Sequence, residues 1–166
     1  IMAISFAVIQ FAPGGPVEQV IAKLTGQGGD AGDRLSGGGG DDRLFGGGGD
    51  DRLHGGAGDD VLHGGGGRDV IIGSRGDDLS YGGAGADVFV FGRNDGRDRI
   101  GDFRDDRDTL RLDGDLWRGE LTTRQVVDRF GSLAGDDAVL AFAGGERLRL
   151  DGIGDLAMLY DDLQIA

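Results

Sequence analysis

An all-β repeat architecture is what this sequence predicts, on three observations. Residues 28 to 90 divide into seven nine-residue units: GGDAGDRLS, GGGGDDRLF, GGGGDDRLH, GGAGDDVLH, GGGGRDVII, GSRGDDLSY and GGAGADVFV. The sixth position is aspartate in every unit: Asp33, Asp42, Asp51, Asp60, Asp69, Asp78 and Asp87. The eighth is apolar at Leu35, Leu44, Leu53, Leu62, Ile71 and Phe89, with Ser80 the one exception. A fixed short period with one constant acid and one near-constant apolar residue marks units that bury their apolar side only by stacking on one another. Of the 37 glycines, 23 fall in these 63 residues. The glycine therefore follows the period, unlike the scattered glycine of a disordered segment.

Composition narrows the chemistry. The chain has 166 residues, 30 of them acidic and 17 basic, for a net charge of −13. That balance argues against nucleic acid or an anionic membrane surface as partner and makes a cation the natural counterpart. There is no cysteine and there are only two histidines, so disulfides and thiolate sites are excluded and any metal is a hard one held by oxygen.

Three segments are expected: an N-terminal strand and capping helix over 1–27, the repeats over 28–90, and a C-terminal cap over 91–166. Residues 1–12, IMAISFAVIQFA, are almost wholly apolar, lack a basic leader and are too short to cross a bilayer; they read as a strand. Residues 14–26, GGPVEQVIAKLTG, read as a short helix with Pro16 early and Gly26 at its end. In each repeat the last three residues, such as Arg43-Leu44-Phe45, can form a short strand that turns its middle side chain inward. The six glycine- and aspartate-rich residues before it turn the chain, because glycine reaches positive φ at no steric cost.

Past the repeats, alternating apolar residues predict strands at Phe89 and Phe91 and at Leu110 and Leu112. Thr122 and Gln125 form a capping box for a helix running to Phe130, and AVLAFAGGERLRL predicts a hairpin around Gly144-Gly145. The terminal GDLAMLYDDLQIA reads as a last helix.

The nonapeptide resembles the hemolysin-type calcium-binding repeat of the RTX proteins, GGxGxDxUx with U large and apolar. The resemblance implies a parallel β-roll (β-solenoid) in which two units make one turn and each unit stacks on its second neighbour. Leu35, Leu53, Ile71 and Phe89 then form one inward ladder, and Leu44, Leu62 and Ser80 the other. It also implies Ca²⁺ sites between loops eighteen residues apart. The earlier loop gives its second and fourth carbonyls and its aspartate; the later gives its first and third carbonyls and its aspartate. Seven units allow about five such sites. The implied ligands are Gly29, Ala31 and Asp33 in the first unit; Gly38, Gly40 and Asp42 in the second; and Gly46, Gly47, Gly48, Gly49 and Asp51 in the third. The fourth unit gives Gly55, Gly56, Ala57, Gly58 and Asp60, and the fifth Gly64, Gly65, Gly66, Gly67 and Asp69. The sixth gives Gly73, Arg75 and Asp78, and the seventh Gly82, Ala84 and Asp87. Ala31, Ser74, Arg75 and Ser80 depart from the pattern, and a slipped or frayed turn is expected at the sixth unit. The run from DRIGDF to DTLRLDG resembles the closing segment of RTX regions; Asp102, Asp105 and Asp108 within it are expected to lie in an exposed strand-linking loop, with one more bound calcium as the alternative.

The ion answers an electrostatic problem. Stacked loops bring like carboxylates to roughly one strand spacing, about 4.7 Å, where two charges at an effective dielectric near 20 repel by about 3.5 kcal/mol. A cation between them reverses the sign. Ca²⁺ accepts six to eight oxygens in tolerant geometry, whereas Mg²⁺ requires a stricter octahedron, so a glycine-rich cage of carbonyls favours calcium. The second acids, Asp41, Asp50, Asp59 and Asp77, are expected to raise the local negative potential without binding directly. His54 and His63 fall on opposite sides of the roll and are expected to decorate its surface.

The function expected from the resemblance is a calcium-binding RTX module, secreted, that folds on calcium outside the cell and serves type I secretion of an exported protein. The type I secretion machinery is then a partner, and the acidic-apolar C-terminus resembles an uncleaved export signal. The alternative is a polysaccharide-binding repeat module of an extracellular enzyme such as an alginate epimerase, meeting an anionic polysaccharide through a basic stripe. Arg34, Arg43 and Arg52 supply only a short patch of that kind. No nucleophile elbow, HExxH or phosphate loop is present, so the chain is not expected to be an enzyme.

Overall fold

In the computed structural model, residues 19–22 and 32–166 are described. One strand precedes the repeats, β1 (Gln19–Ala22), and seven carry them: β2 (Arg34–Gly39), β3 (Asp42–Gly48), β4 (Arg52–Ala57), β5 (Val61–Gly66), β6 (Val70–Arg75), β7 (Leu79–Ala84) and β8 (Val88–Phe91). After them come β9 (Arg97–Ile100), β10 (Thr109–Leu112), the helix α1 (Thr123–Phe130), β11 (Gly131–Ala134), β12 (Asp137–Ala141), β13 (Arg147–Leu150) and β14 (Leu163–Ile165). Two sheets face each other, ordered β1-β3-β5-β7-β9-β13-β12-β11 and β14-β10-β8-β6-β4-β2. Successive strands alternate between the sheets and pair in parallel with their second neighbours, which makes a parallel β-roll.

Both expected inward ladders are present. Leu35, Leu53, Ile71, Phe89, Leu110 and Leu163 lie in register along one sheet, and Leu44, Leu62, Ser80, Ile100 and Leu150 along the other. The strands are longer than three residues, because pairing resumes beyond the ladder at positions two and three, as at Gly38↔Gly56 and Gly47↔Gly65. Positions two and four have positive φ throughout the described repeats, for example Gly56 (121°) and Gly58 (123°), and this is why glycine recurs there.

Three expectations change. Residues 19–22, inside the segment expected to be a helix, form β1 instead and extend the sheet in parallel on β3; Val20 and Ile21 are β-branched and suit a strand. The remainder of residues 1–31, with the predicted N-terminal strand and the ligands Gly29 and Ala31, lies outside the described residues. The sixth unit neither slips nor frays: Ser74 adopts φ 78° opposite Gly56, its Oγ lies 3.1 Å from His54 Nε2, and Ser80 stays in the ladder between Leu62 and Ile100. Pairing on both sides holds that turn in place. The C-terminus is a 3-10 turn at Leu156–Leu159 followed by β14, which pairs in parallel with β10 and closes the second sheet.

The capping box and the hairpin form as the sequence predicts. Thr122 and Gln125 make the reciprocal capping bonds of α1, and β12 and β13 pair antiparallel around Gly144-Gly145. Phe91, Phe130, Phe142 and Trp117 pack as an aromatic cluster, with ring centroids 5.0 to 6.1 Å apart, and continue the core of the roll into the cap.

Candidate metal centre

The sixth-position aspartates are buried in a row inside the roll: Asp42, Asp51, Asp60, Asp69, Asp78 and Asp87 are each at most 2% exposed. They are placed there by the two-residue alternation of the strand, which turns positions six and eight to the same inner face. From Asp51 to Asp87 each gives one oxygen to the turn before it. Asp60 Oδ1 accepts from the Asp42 N–H at 2.7 Å, Asp69 from Asp51 at 2.8 Å, Asp78 from Asp60 at 2.8 Å and Asp87 from Asp69 at 2.9 Å.

The second oxygen has no such use. Oδ2 of Asp60, Asp69, Asp78 and Asp87 is buried without a hydrogen-bond partner, and an unsatisfied buried carboxylate oxygen is costly. Each points into a gap that glycine leaves open. A Cβ on Gly55 would collide with Asp60 Oδ2 and stand 2.8 Å from the Gly73 carbonyl oxygen; one on Gly64 would collide with Asp69 Oδ2 and stand 2.8 Å from the Gly82 carbonyl. The missing side chain at position one thus leaves a cradle where a carboxylate oxygen and the first carbonyl of the next turn converge.

The electrostatics mark the same row. Burial pushes the Asp60 and Asp69 carboxyls up to about 6 and Asp78 up to about 7, and neighbouring aspartates push further in the same direction. Burial likewise raises Asp87. A row of buried acids that resist ionisation and hold orphaned oxygens, beside a carbonyl at Asp60 and Asp69, fits a hard divalent cation bound by oxygen alone.

Other implied ligands are already partly engaged between turns. The third-position carbonyls of Ala57, Gly66, Arg75 and Ala84 accept from the backbone N–H groups of Gly40, Gly49, Gly58 and Gly67 at 2.7 to 2.9 Å. The position-five acids are not idle. Asp41, Asp50, Asp59 and Asp77 each accept, through Oδ1, a backbone N–H of the next turn, forming an exposed outer seam. His63 does more than decorate the surface, since it stacks between Phe45 and Tyr81 at 5.0 and 4.7 Å, and burial lowers its pKa.

The ladder also runs past the seventh unit. Asp98 Oδ1 accepts from Asp78 N–H and Asp108 Oδ1 from Asp87 N–H, both at 3.1 Å, with Ile100 and Leu110 in the inward position two residues on. These two turns keep the aspartate-x-apolar spacing but stand 20 and 21 residues from their partners in place of 18, which hides them from a period of nine. Burial and the facing Asp78 push Asp98 up to about 9. Asp102 binds the N–H groups of Gly82 and Gly83, and Asp108 that of Arg104 as well. Asp105 instead groups with Asp106 and Asp161, their carboxylate oxygens within 4.8 Å, so the three acids singled out in the closing segment serve different partners.

Residues 27–62 and 54–89 match the family model for the RTX calcium-binding nonapeptide repeat, in four copies. An extracellular lipase, LipA from Serratia marcescens, has a similar crystal structure, with 27% identity and a TM-score of 0.51 over 85% of this chain and 20% of that one. The solution structure of the AlgE6R3 subunit of the Azotobacter vinelandii mannuronan C5-epimerase aligns over 95% of this chain and 84% of that one at 28% identity, with a TM-score of 0.33. A 37-residue stretch is 81% identical to part of a protein of Agrobacterium fabrum (strain C58) named peptidoglycan transport system permease protein YejB, covering 22% of this chain and 10% of that protein. The chain thus spans a fifth or less of the lipase and the permease. Among the described residues no helix is long and apolar enough to cross a membrane.

Proposed function

The chain is an RTX-type repeat protein, and we propose that its roll is a calcium-operated folding module that supports export of a secreted protein by a type I route. One observation carries this reading: the row of orphaned Oδ2 atoms on Asp60, Asp69, Asp78 and Asp87, each facing a glycine-lined cradle. Without a cation the roll must bury like-charged carboxylates one strand spacing apart, an arrangement that opposes folding at neutral pH. With Ca²⁺ the same oxygens become ligands, and binding free energy becomes folding free energy.

The sites pair loops eighteen residues apart. Asp51 and the Gly64 carbonyl already converge at Gly46, and Gly47, Gly49, Gly66 and Asp69 complete the set from the two loops. Asp98 and Asp108 extend the row into the closing turns. At low cytoplasmic calcium such a chain stays unfolded and threadable, and it folds where calcium is plentiful. The acidic-apolar segment 154–166 supplies β14 only once the chain folds.

The test is far-UV circular dichroism of the full chain in chelator, followed by titration with calcium or magnesium. A largely disordered spectrum that becomes β-rich at about 0.1 to 1 mM calcium, the range of extracellular modules, and not with magnesium supports the proposal. A β-rich spectrum retained in excess chelator at pH 7.5 overturns it.

A further inference from the structure

We propose that the cap carries a binding pocket for an acidic sugar, a hexuronate unit of an anionic polysaccharide. A cavity of about 540 Å³ opens between the segment after β10, the end of α1 and the β12–β13 hairpin. Its size is that of a small-ligand site. Three arginines from three separate segments line it: Arg93, Arg118 and Arg129. In a chain of net charge −13 this convergence is unusual. Arg99, Arg124 and Arg149 of the same cap are ion-paired, to Asp151, Asp128 and Asp137, whereas among the described residues none of the three pocket arginines pairs with a carboxylate; Arg129 rests over the Phe130 ring, 5.3 Å from its centroid.

The rest of the lining defines what the guanidiniums would hold. Trp117 borders the cavity, its ring fixed 6.1 Å from both Phe130 and Phe142, so it offers a rigid flat face. Asp115 and the buried Glu146 add carboxylates, and Glu146 is held in place by the Asn94 N–H at 3.2 Å from its Oε1. Guanidiniums recognise a carboxylate through paired N–H donors. Carboxylates, which can only accept, recognise hydroxyls. An aromatic face covers an apolar ring face. A ring that carries one carboxylate, several hydroxyls and an apolar C–H face combines all three, and that is a uronic acid. A phosphate is a poorer fit, because its higher charge would meet Asp115 and Glu146 at close range. None of the pocket residues belongs to the calcium row, so the site can fail without the calcium proposal failing.

Trp117 is the sole tryptophan of the chain, so intrinsic fluorescence reports on this pocket alone. The full chain, with free calcium buffered in excess, is titrated with a tetra-galacturonate and with a neutral xylo-tetraose of similar length. The expected result is a saturable change in tryptophan fluorescence with the acidic oligomer only, weakened by about tenfold, the loss of one charge-assisted hydrogen bond, in Arg118→Gln and again in Arg129→Gln. Both side chains are exposed, so the calcium-induced circular dichroism of the variants should match that of the parent. No saturable signal, an equal response to the neutral oligomer, or unchanged affinity in both variants overturns the proposal.

Discussion

Acidic residues in the roll and around the β12–β13 hairpin of the cap meet opposite circumstances. In the roll, Asp60, Asp69 and Asp78 are buried among other aspartates, hold an unpartnered oxygen and are pushed towards neutrality. In the cap, Asp137 accepts from the Gly152 N–H and pairs with Arg149, which together hold its carboxyl below the usual range, and Asp151 pairs with Arg99 at 2.6 Å. Their cores differ in the same way. The roll contributes one inward side chain per nine residues, whereas the cap packs Val126, Val127, Leu140, Leu148, Leu150 and a cluster of aromatics around one helix and a hairpin. The cap is assembled like an ordinary small core, and the roll is a frame of inward carboxylates and carbonyls. Under the proposed function the two regions have separate tasks: the cap closes the end of the array, and the ion supplies the driving force for folding.

Removal of the cap should break this division most severely. A chain ending at Phe91 loses Ile100 and Leu110 from the two ladders and the Asp98 and Asp108 oxygens that satisfy Asp78 and Asp87. The calcium midpoint for folding is expected to rise by at least about tenfold, equivalent to losing one or two buried apolar contacts, or folding to vanish. Folding at the parent's calcium concentration would show that the cap contributes nothing to the roll.

A smaller effect separates the inner and outer carboxylate seams. Asp60→Ala removes both the Asp42 N–H acceptor and the oxygen aimed into the Gly55 cradle. Asp59→Ala removes one exposed bond to the Asp77 N–H, worth about 1 kcal/mol. The calcium midpoint should rise markedly, with lower cooperativity, in the first variant and only slightly in the second. Equal shifts in a calcium titration of the two would place the ligands in the wrong seam.

The mildest test is pH. Carboxyls raised from 3.8 to about 6 or 7 in the calcium-free fold stabilise that fold below pH 4 and lose the contribution as pH rises through 6 to 7. Protons and calcium then compete for the same oxygens. The calcium midpoint should fall as pH rises from 5 to 7.5 and level off above, and the calcium-free chain should gain β-structure on mild acidification. A midpoint independent of pH across that range would mean that the buried aspartates are not the ligands.

Much of this was legible in the sequence, because the period states it directly: an aspartate two residues before each inward apolar side chain, and glycine where φ is positive. The helix and hairpin of the cap were legible too, from the Thr122/Gln125 box and Gly144-Gly145. What the sequence hid has physical causes. Asp98 and Asp108 lie behind loops two and three residues longer, which destroy the period while leaving the geometry intact. Ser74 looked like a lesion, but its neighbours' hydrogen bonds hold it in a conformation serine would not choose alone. Residues 19–22 carry helix-like flanks around a β-branched pair, and an available sheet edge decides between them. The arginine pocket joins positions 93, 118 and 129, whose proximity no local pattern encodes.

The bonds from each Asp N–H to the aspartate one turn later run in a single direction, and this gives the two ends of the array unlike faces. On this buried seam a cut on the N-terminal side leaves a carboxylate oxygen without its donor, while the exposed outer seam, whose N–H groups donate to the turn before, loses its acceptor there to water. A cut on the C-terminal side strands the buried Asp N–H groups of the last turn with nothing to accept them. As far as the buried seam decides it, units are more readily added or lost at the front of such an array than at the back, where the last turn must meet a partner that supplies the acceptors. An array of this kind is free to vary in length over evolutionary time as long as its last turn is kept.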